Sequence, residues 1–113
     1  MKDLTLEQVR ELTEDDIHAL WEQLRVGSPQ QYDYLVSVVR AFKIRECDYI
    51  IVDDKRKQHQ IQAAEFALEL GLLTREEVGS DEAQYTGYHY RLTTKGGLIL
   101  LHPLAPAEYT LSG

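Results

Sequence analysis

Apolar residues return along the first half of this chain at helical intervals. Ile17, Leu20, Trp21 and Leu24 recur at i, i+3, i+4 and i+7, which predicts an amphipathic helix over about 13–26. Thr13 stands before that stripe as an N-cap, and Glu14, Asp15 and Asp16 suit its first turn, where the helix dipole favours negative charge. Gly27 is a natural stop. Ser28, Pro29 and Gln31 then read as a cap, a first helical residue and the far side of a capping box. Tyr32, Leu35, Val36, Val39 and Phe42 predict the buried face of a second helix over 29–43. A short helix precedes both, with Thr5 and Gln8 as a capping box followed by Val9 and Leu12. His18 lies beside the apolar stripe of its helix and is expected at the edge of the core.

The period then changes. "YIIV", Tyr49 to Val52, is aromatic and β-branched and reads as a short strand ended by Asp53 and Asp54. A third helix is expected over 55–70, closed by Gly71 as a left-handed cap, with Leu72 folding back onto the last turn. Leu72 to Val78 reads as a strand, although Thr74 and Glu77 also fit the capping box of a helical turn. "GSDEAQYTG" is a loop. In Tyr88 to Leu92 apolar and polar residues alternate, the period of a half-buried strand. Alternation turns Tyr88 and Tyr90 towards the core and His89 and Arg91 towards water. Thr93 or Thr94 caps a last short helix through Leu101, and the tail from 103 to 113 reads as extended. The fold class is therefore α+β: three main helices, a β-hairpin and a short C-terminal helix in one domain spanning 1–113. Residues 1–12 and 103–113 are appendages to it.

Two stretches carry a resemblance. "AAEFALELGLLTREEV" followed by "YHYRLTTKGGLILL" resembles the winged-helix superfamily, in the form found in bacterial transcription regulators. In those proteins the third helix ends at a Gly-Leu-Leu turn. A wing hairpin follows, and a Y-x-L-T-x-x-G strand end leads into another helix. The matching positions are Gly71, Leu72 and Leu73, then Tyr90, Leu92, Thr93 and Gly96, and the likeness covers roughly residues 57–101. It implies a small winged-helix-like domain and leaves the function open, since many such domains bind protein instead of DNA. Two features depart from the pattern. The wing region carries Glu76, Glu77, Asp81 and Glu82 where phosphate-binding wings offer Lys or Arg. A strand also stands directly before the third helix, where a compact helix-turn-helix has another helix.

Charge sharpens the question. The 113 residues carry a net charge of −7, which repels polyanions at long range. Half of the 12 Lys and Arg nevertheless fall within residues 40–57. A local basic patch acts at short range, because fields beyond about 10 Å are screened at ordinary salt. On a helical wheel the outward stripe of the third helix is Lys55, Gln58, Gln62, Glu65 and Glu69. Arg56 and Lys57 fall over the apolar arc at the first turn, and the N-terminal half of the helix as a whole offers the Lys, Arg and Gln that pair with guanine and adenine edges. Lys55, Arg56, Lys57, Gln58 and Gln62 are therefore the candidate nucleic-acid-binding residues. The competing reading of the same residues is a solvated helix start. Tyr85, His89 and Arg91 form a second candidate interaction surface, as tyrosine is enriched at binding hot spots.

The chemistry of catalysis is missing from the pattern. The histidines at 18, 59, 89 and 102 show no metal-ligand spacing with each other or with Cys47. Cys47 lies between Glu46 and Asp48, whose charges disfavour a thiolate. No catalytic residue, metal or cofactor is expected, and the chain reads as a non-catalytic regulatory protein. Candidate partners are duplex DNA, bound by a homodimer because one helix gives modest affinity, or alternatively a basic protein that takes the acidic surface. The N-terminus lacks the apolar stretch of a signal peptide, and "YIIV" and "LILL" are too short to span a bilayer. A cytoplasmic protein with no membrane partner is the expectation.

Overall fold

In the computed structural model, residues 3–44, 49–52, 58–79 and 86–107 are described. Helix α1 spans Leu6–Arg10, α2 spans Glu14–Gly27 and α3 spans Pro29–Val39, which runs on into a π turn over Arg40–Ile44. Strand β1 (Tyr49–Val52), helix α4 (Gln58–Glu69), strands β2 (Leu73–Gly79) and β3 (Thr86–Leu92) and helix α5 (Thr94–Leu100) follow. This is the expected α+β order of helices, then a hairpin, then a short C-terminal helix.

The local signals explain most boundaries. The hydroxyls of Thr5 and Thr13 each accept the N3 backbone N–H, and Gln8 and Asp16 reach back to complete both capping boxes. The Thr13 backbone N–H holds the Asp16 carboxyl below the usual carboxylate range. Ser28 behaves otherwise: it begins α3 but makes no side-chain cap, so the expected capping box with Gln31 is absent. The reason is double duty. Ser28 also ends α2, its N–H donating to the Leu24 carbonyl at 2.8 Å, and this holds its backbone outside the ordinary N-cap conformation. The second helix also departs from the expected single α-helix over 29–43, since its last turn widens into the π turn. Phe42 stays buried within that turn.

The sheet is antiparallel with order β1-β3-β2. Residues 74–78 belong to a strand and not to a helical turn, because Leu73 through Gly79 each pair with β3, from Leu73 opposite Leu92 to Gly79 opposite Thr86. Helix α4 packs against α3 and β2, and α1 packs against α5. Between these layers lies one buried cluster that joins Val9, Trp21, Leu35, Ala64, Tyr90 and Ile99. α4 brings small residues to its packed face, Ala63, Ala64 and Ala67, which lets it lie close to α3.

Three expectations need correction. His18 is exposed, because the core edge of α2 stops at Ile17 and Trp21 and His18 lies about 100° further round the helix. Tyr88 is 37% exposed while Tyr90 is 0% exposed. The two share a face of β3, but Tyr88 lies beyond the cover of α4 and the Arg75 guanidinium covers its ring instead, 4.8 Å from the centroid. The tail does not run straight from 103. His102 to Ala105 form a turn closed by the Ala105 N–H on the His102 carbonyl. Arg40 and Lys43 from the π turn donate to the carbonyls of Ala107, His102 and Ala105.

Candidate nucleic-acid interface

The site is built on α4, and its two ends are held very differently. At the C-terminal end the Leu72 N–H reaches the Ala67 carbonyl and the Gly71 N–H the Leu68 carbonyl. This is the Schellman pattern, and Gly71 accepts it with φ at 77°, where a side chain would be strained. The next segment locks on from outside. Thr93 donates its backbone N–H to the Leu72 carbonyl and its hydroxyl to the Gly71 carbonyl, while accepting the Gly96 N–H as the α5 cap. Lys95 donates to the Leu70 carbonyl at 3.1 Å, a cation placed on the negative end of the α4 dipole. Partial burial there pushes its pKa down. Gly96 fits because a Cβ would overlap the Leu72 backbone carbonyl.

Halfway along α4, Glu65 joins helix to hairpin. Its Oε1 accepts from Arg75 at 2.7 Å and from the Tyr90 hydroxyl at 2.6 Å. Burial, and then the Glu65 bond, push the Tyr90 phenol well above its ordinary pKa. The same carboxylate raises the pKa of Arg75 through their hydrogen bond. Arg75 thus ties β2 to α4 and, by stacking on Tyr88, to the outer part of β3. Beyond this point the surface is acidic: Glu69, Glu76 and Glu77 are exposed.

The N-terminal half presents different groups. Gln58 and His59 are exposed at the first described turn, and Gln62 is exposed one turn on, below Gln58. Gln62 Oε1 accepts from the Tyr34 hydroxyl, which accepts from Gln30 Nε2, both at 3.1 Å. His59 Nε2 lies 3.1 Å from Ser37 Oγ and its ring 5.2 Å from that of Tyr34. Tyr34, Gln62, Glu65, Phe66, Leu68 and Glu69 line an open groove of about 530 Å³ along the seam of α3 and α4.

Of the residues singled out from sequence, Gln58 and Gln62 are brought together on one stripe of α4. Lys55, Arg56 and Lys57, and likewise Tyr85, lie outside the described residues. His89 and Arg91 point from β3 to the face of the sheet opposite Tyr90. There their register partners on β2 are Glu76 and Thr74, so they form a surface separate from the α4 stripe. Tyr34, Glu65 with Arg75, and the Ser37–His59 contact are additions made by the fold. Only the i, i+4 spacing of Gln30 and Tyr34 was visible in sequence, and nothing local marks Arg75 as the partner of a residue ten positions away.

Among the described residues, no group of three or more His, Cys, Asp or Glu could hold a metal ion. No helix among them is long and apolar enough to cross a membrane. No protein-family model, curated protein or solved structure matches the chain.

Proposed function

We propose that this is a non-catalytic, winged-helix-like regulatory protein that contacts duplex DNA through the N-terminal half of α4. One observation carries the reading. The outward stripe of that half offers uncharged amides, Gln58 and Gln62, and follows directly from Lys55, Arg56 and Lys57 in the chain. Glutamine and basic side chains are the types that read base edges and neutralise phosphate, and recognition helices enter the major groove by their N-terminal residues. The order of elements supports the same reading: α4 runs into the β2–β3 hairpin, and β1 completes the sheet on the far side of β3. A homodimer belongs to this reading, because two copies supply the affinity that one short helix lacks. The test is the fluorescence anisotropy of a labelled duplex at about 50 and 200 mM salt. Binding is expected to weaken steeply with salt and to vanish in Lys55→Ala/Arg56→Ala/Lys57→Ala. Absence of binding at low salt, at concentrations above the non-specific range of roughly 10⁻⁴ to 10⁻⁶ M, would overturn it.

A second reading has its own support. Glu69, Glu76 and Glu77 are exposed on the other half of α4 and on the hairpin, beside a groove with apolar walls at Tyr34, Phe66 and Leu68. Such a surface fits a basic protein segment, whose aliphatic stems would lie on the walls and whose charges would meet the carboxylates. It predicts binding of an oligolysine peptide that Glu69→Lys weakens, with no binding of duplex. Duplex binding with an unaffected peptide response would remove it.

A further inference from the structure

Strand β2 is an edge of the sheet in the order β1-β3-β2, and one hydrogen bond fixes which way its backbone faces. The Thr93 N–H donates to the Leu72 carbonyl. These two residues continue the register that sets Leu73 opposite Leu92 and Gly79 opposite Thr86. In an antiparallel ladder, opposed residues alternate between pairs that exchange hydrogen bonds and pairs that do not. Leu72 and Thr93 are a bonded pair, so Thr74, Glu76 and Val78 turn their N–H and C=O groups to β3. The backbone groups of Leu73, Arg75, Glu77 and Gly79 face the other way. None of them bonds to a described residue. Thr74, Arg75, Glu76 and Glu77 are exposed in succession, so this edge is open to solvent. A row of unpaired N–H and C=O groups is a template for another extended chain.

Charge decides which chain fits. A second copy related by a two-fold axis would pair β2 with itself. The register that uses the whole strand then sets Glu76 against Glu76 of the second copy. That is a pair without hydrogen bonds on this edge, where side chains come closest and like charges oppose each other. A basic segment meets no such clash. One cationic residue would lie opposite Glu77 on the α4 side of the sheet, and the next opposite Glu76 on the other face. Arg75 already has Glu65 as its partner, and an uncharged residue suits the position opposite it. We infer that the outer edge of β2 takes a basic extended segment of another protein as a fourth strand, with two adjacent cationic residues opposite Glu76 and Glu77. Main-chain hydrogen bonds supply the affinity and the two carboxylates the selectivity. The inference goes beyond both readings above. The edge is a different surface from the amide stripe of α4 and from the groove at Tyr34 and Phe66, and each reading stands without it.

The test titrates the full-length protein with an acetylated, amidated hexapeptide that has two central lysines, each flanked by valine and then threonine. Two N-methylated forms carry the same charge, one methylated at the second and fourth residues and the other at the third and fifth. In a bound strand alternate N–H groups face β2 and the rest face solvent. One form should therefore lose at least about tenfold in affinity with its main-chain hydrogen bonds, while the other stays within about twofold of the parent. On the protein, Glu77→Pro removes an outward N–H, a place where an edge strand accepts proline. It should weaken binding by about tenfold or more, against about threefold for Glu77→Gln, which removes the charge alone. A peptide with serines for the lysines should bind at least about fivefold more weakly. Equal behaviour of the two methylated forms overturns the inference, because attraction between charges has no phase along the peptide. If that binding is also lost in Glu69→Lys, the peptide sits in the groove and the second reading stands without the inference. A serine peptide that binds as well as the parent overturns it, since the edge would then take any strand. So does absence of binding by the parent up to about 1 mM. A dimer of the protein that disappears in Glu77→Pro overturns it in favour of a second copy.

Discussion

The two ends of α4 differ in how much the rest of the protein decides about them. At the Gly71 end, four features act together where residues 93–96 meet the end of the helix: the Schellman turn, the Thr93 cap, the Lys95 ammonium and the close approach of Gly96. The carbonyls of Ala67, Leu68, Leu70, Gly71 and Leu72 all accept hydrogen bonds there. At the Gln58 end the outward side chains of Gln58, His59 and Gln62 are exposed, and side-chain bonds join this half of the helix to α3 at Tyr34 and Ser37. One end fixes the helix relative to the hairpin. The other is left to offer its amides. A binding helix needs both, since side chains aimed at a partner are only as well placed as the element that carries them.

The largest expected effect breaks the fixed end. Gly96→Ala should cost about 3 kcal/mol or more, because the added carbon overlaps the Leu72 carbonyl and backbone has to move. Its neighbour is the control. Gly97 has open space where its Cβ would go, so Gly97→Ala should stabilise by roughly 0.5–1 kcal/mol through helix propensity. Urea denaturation of both variants reads the two signs. A neutral Gly96→Ala would mean that the α4–α5 corner is looser than described.

Tyr90→Phe comes next, at about 2 kcal/mol, as it removes a hydrogen bond to a charged partner from a buried phenol. Its pH dependence is more telling. The folded-state pKa lies above the ordinary 10.0. Below pH 10.0 both folded and unfolded chains keep the proton and the contribution is intact. As pH rises past 10.0 the unfolded chain releases the proton while the folded chain retains it, so stability falls with pH. The wild type should therefore lose stability in the alkaline range more steeply than Tyr90→Phe, and equal slopes would contradict the buried bond to Glu65. Gly71→Ala should cost about 1–2 kcal/mol for a side chain in the left-handed region. At the other end, Gln58→Ala and Gln62→Ala should change stability by no more than about 0.5 kcal/mol, while weakening duplex binding. Thermal melts and anisotropy on the same samples would show whether the ends separate in this way.

What could be read in advance follows the range of the interactions. Thr5, Thr13 and Thr93 announce helix starts because a cap and its N–H lie three residues apart, and Gly71 announces a helix end because its backbone conformation is a property of one residue. Each is local. Alternation placed Tyr90 correctly and Tyr88 wrongly, since period two says which face a residue takes but not how far the covering helix extends. Ser28 fits a capping-box pattern, yet the end of α2 takes its conformation first. The candidate site was half legible. Gln58 and Gln62 follow from the helical wheel, whereas Tyr34, 28 residues from Gln62, and Arg75, across a turn from Glu65, meet them only when α3 and the hairpin are packed.

The most direct test is an amide ¹H–¹⁵N titration of the protein with a short duplex at low salt. The account predicts shifts concentrated at Gln58 to Gln62 and in the residues just before them, with Glu69 and the amides of Glu76 and Glu77 little changed. Shifts centred on Glu69 and β2, or none at all, would contradict it.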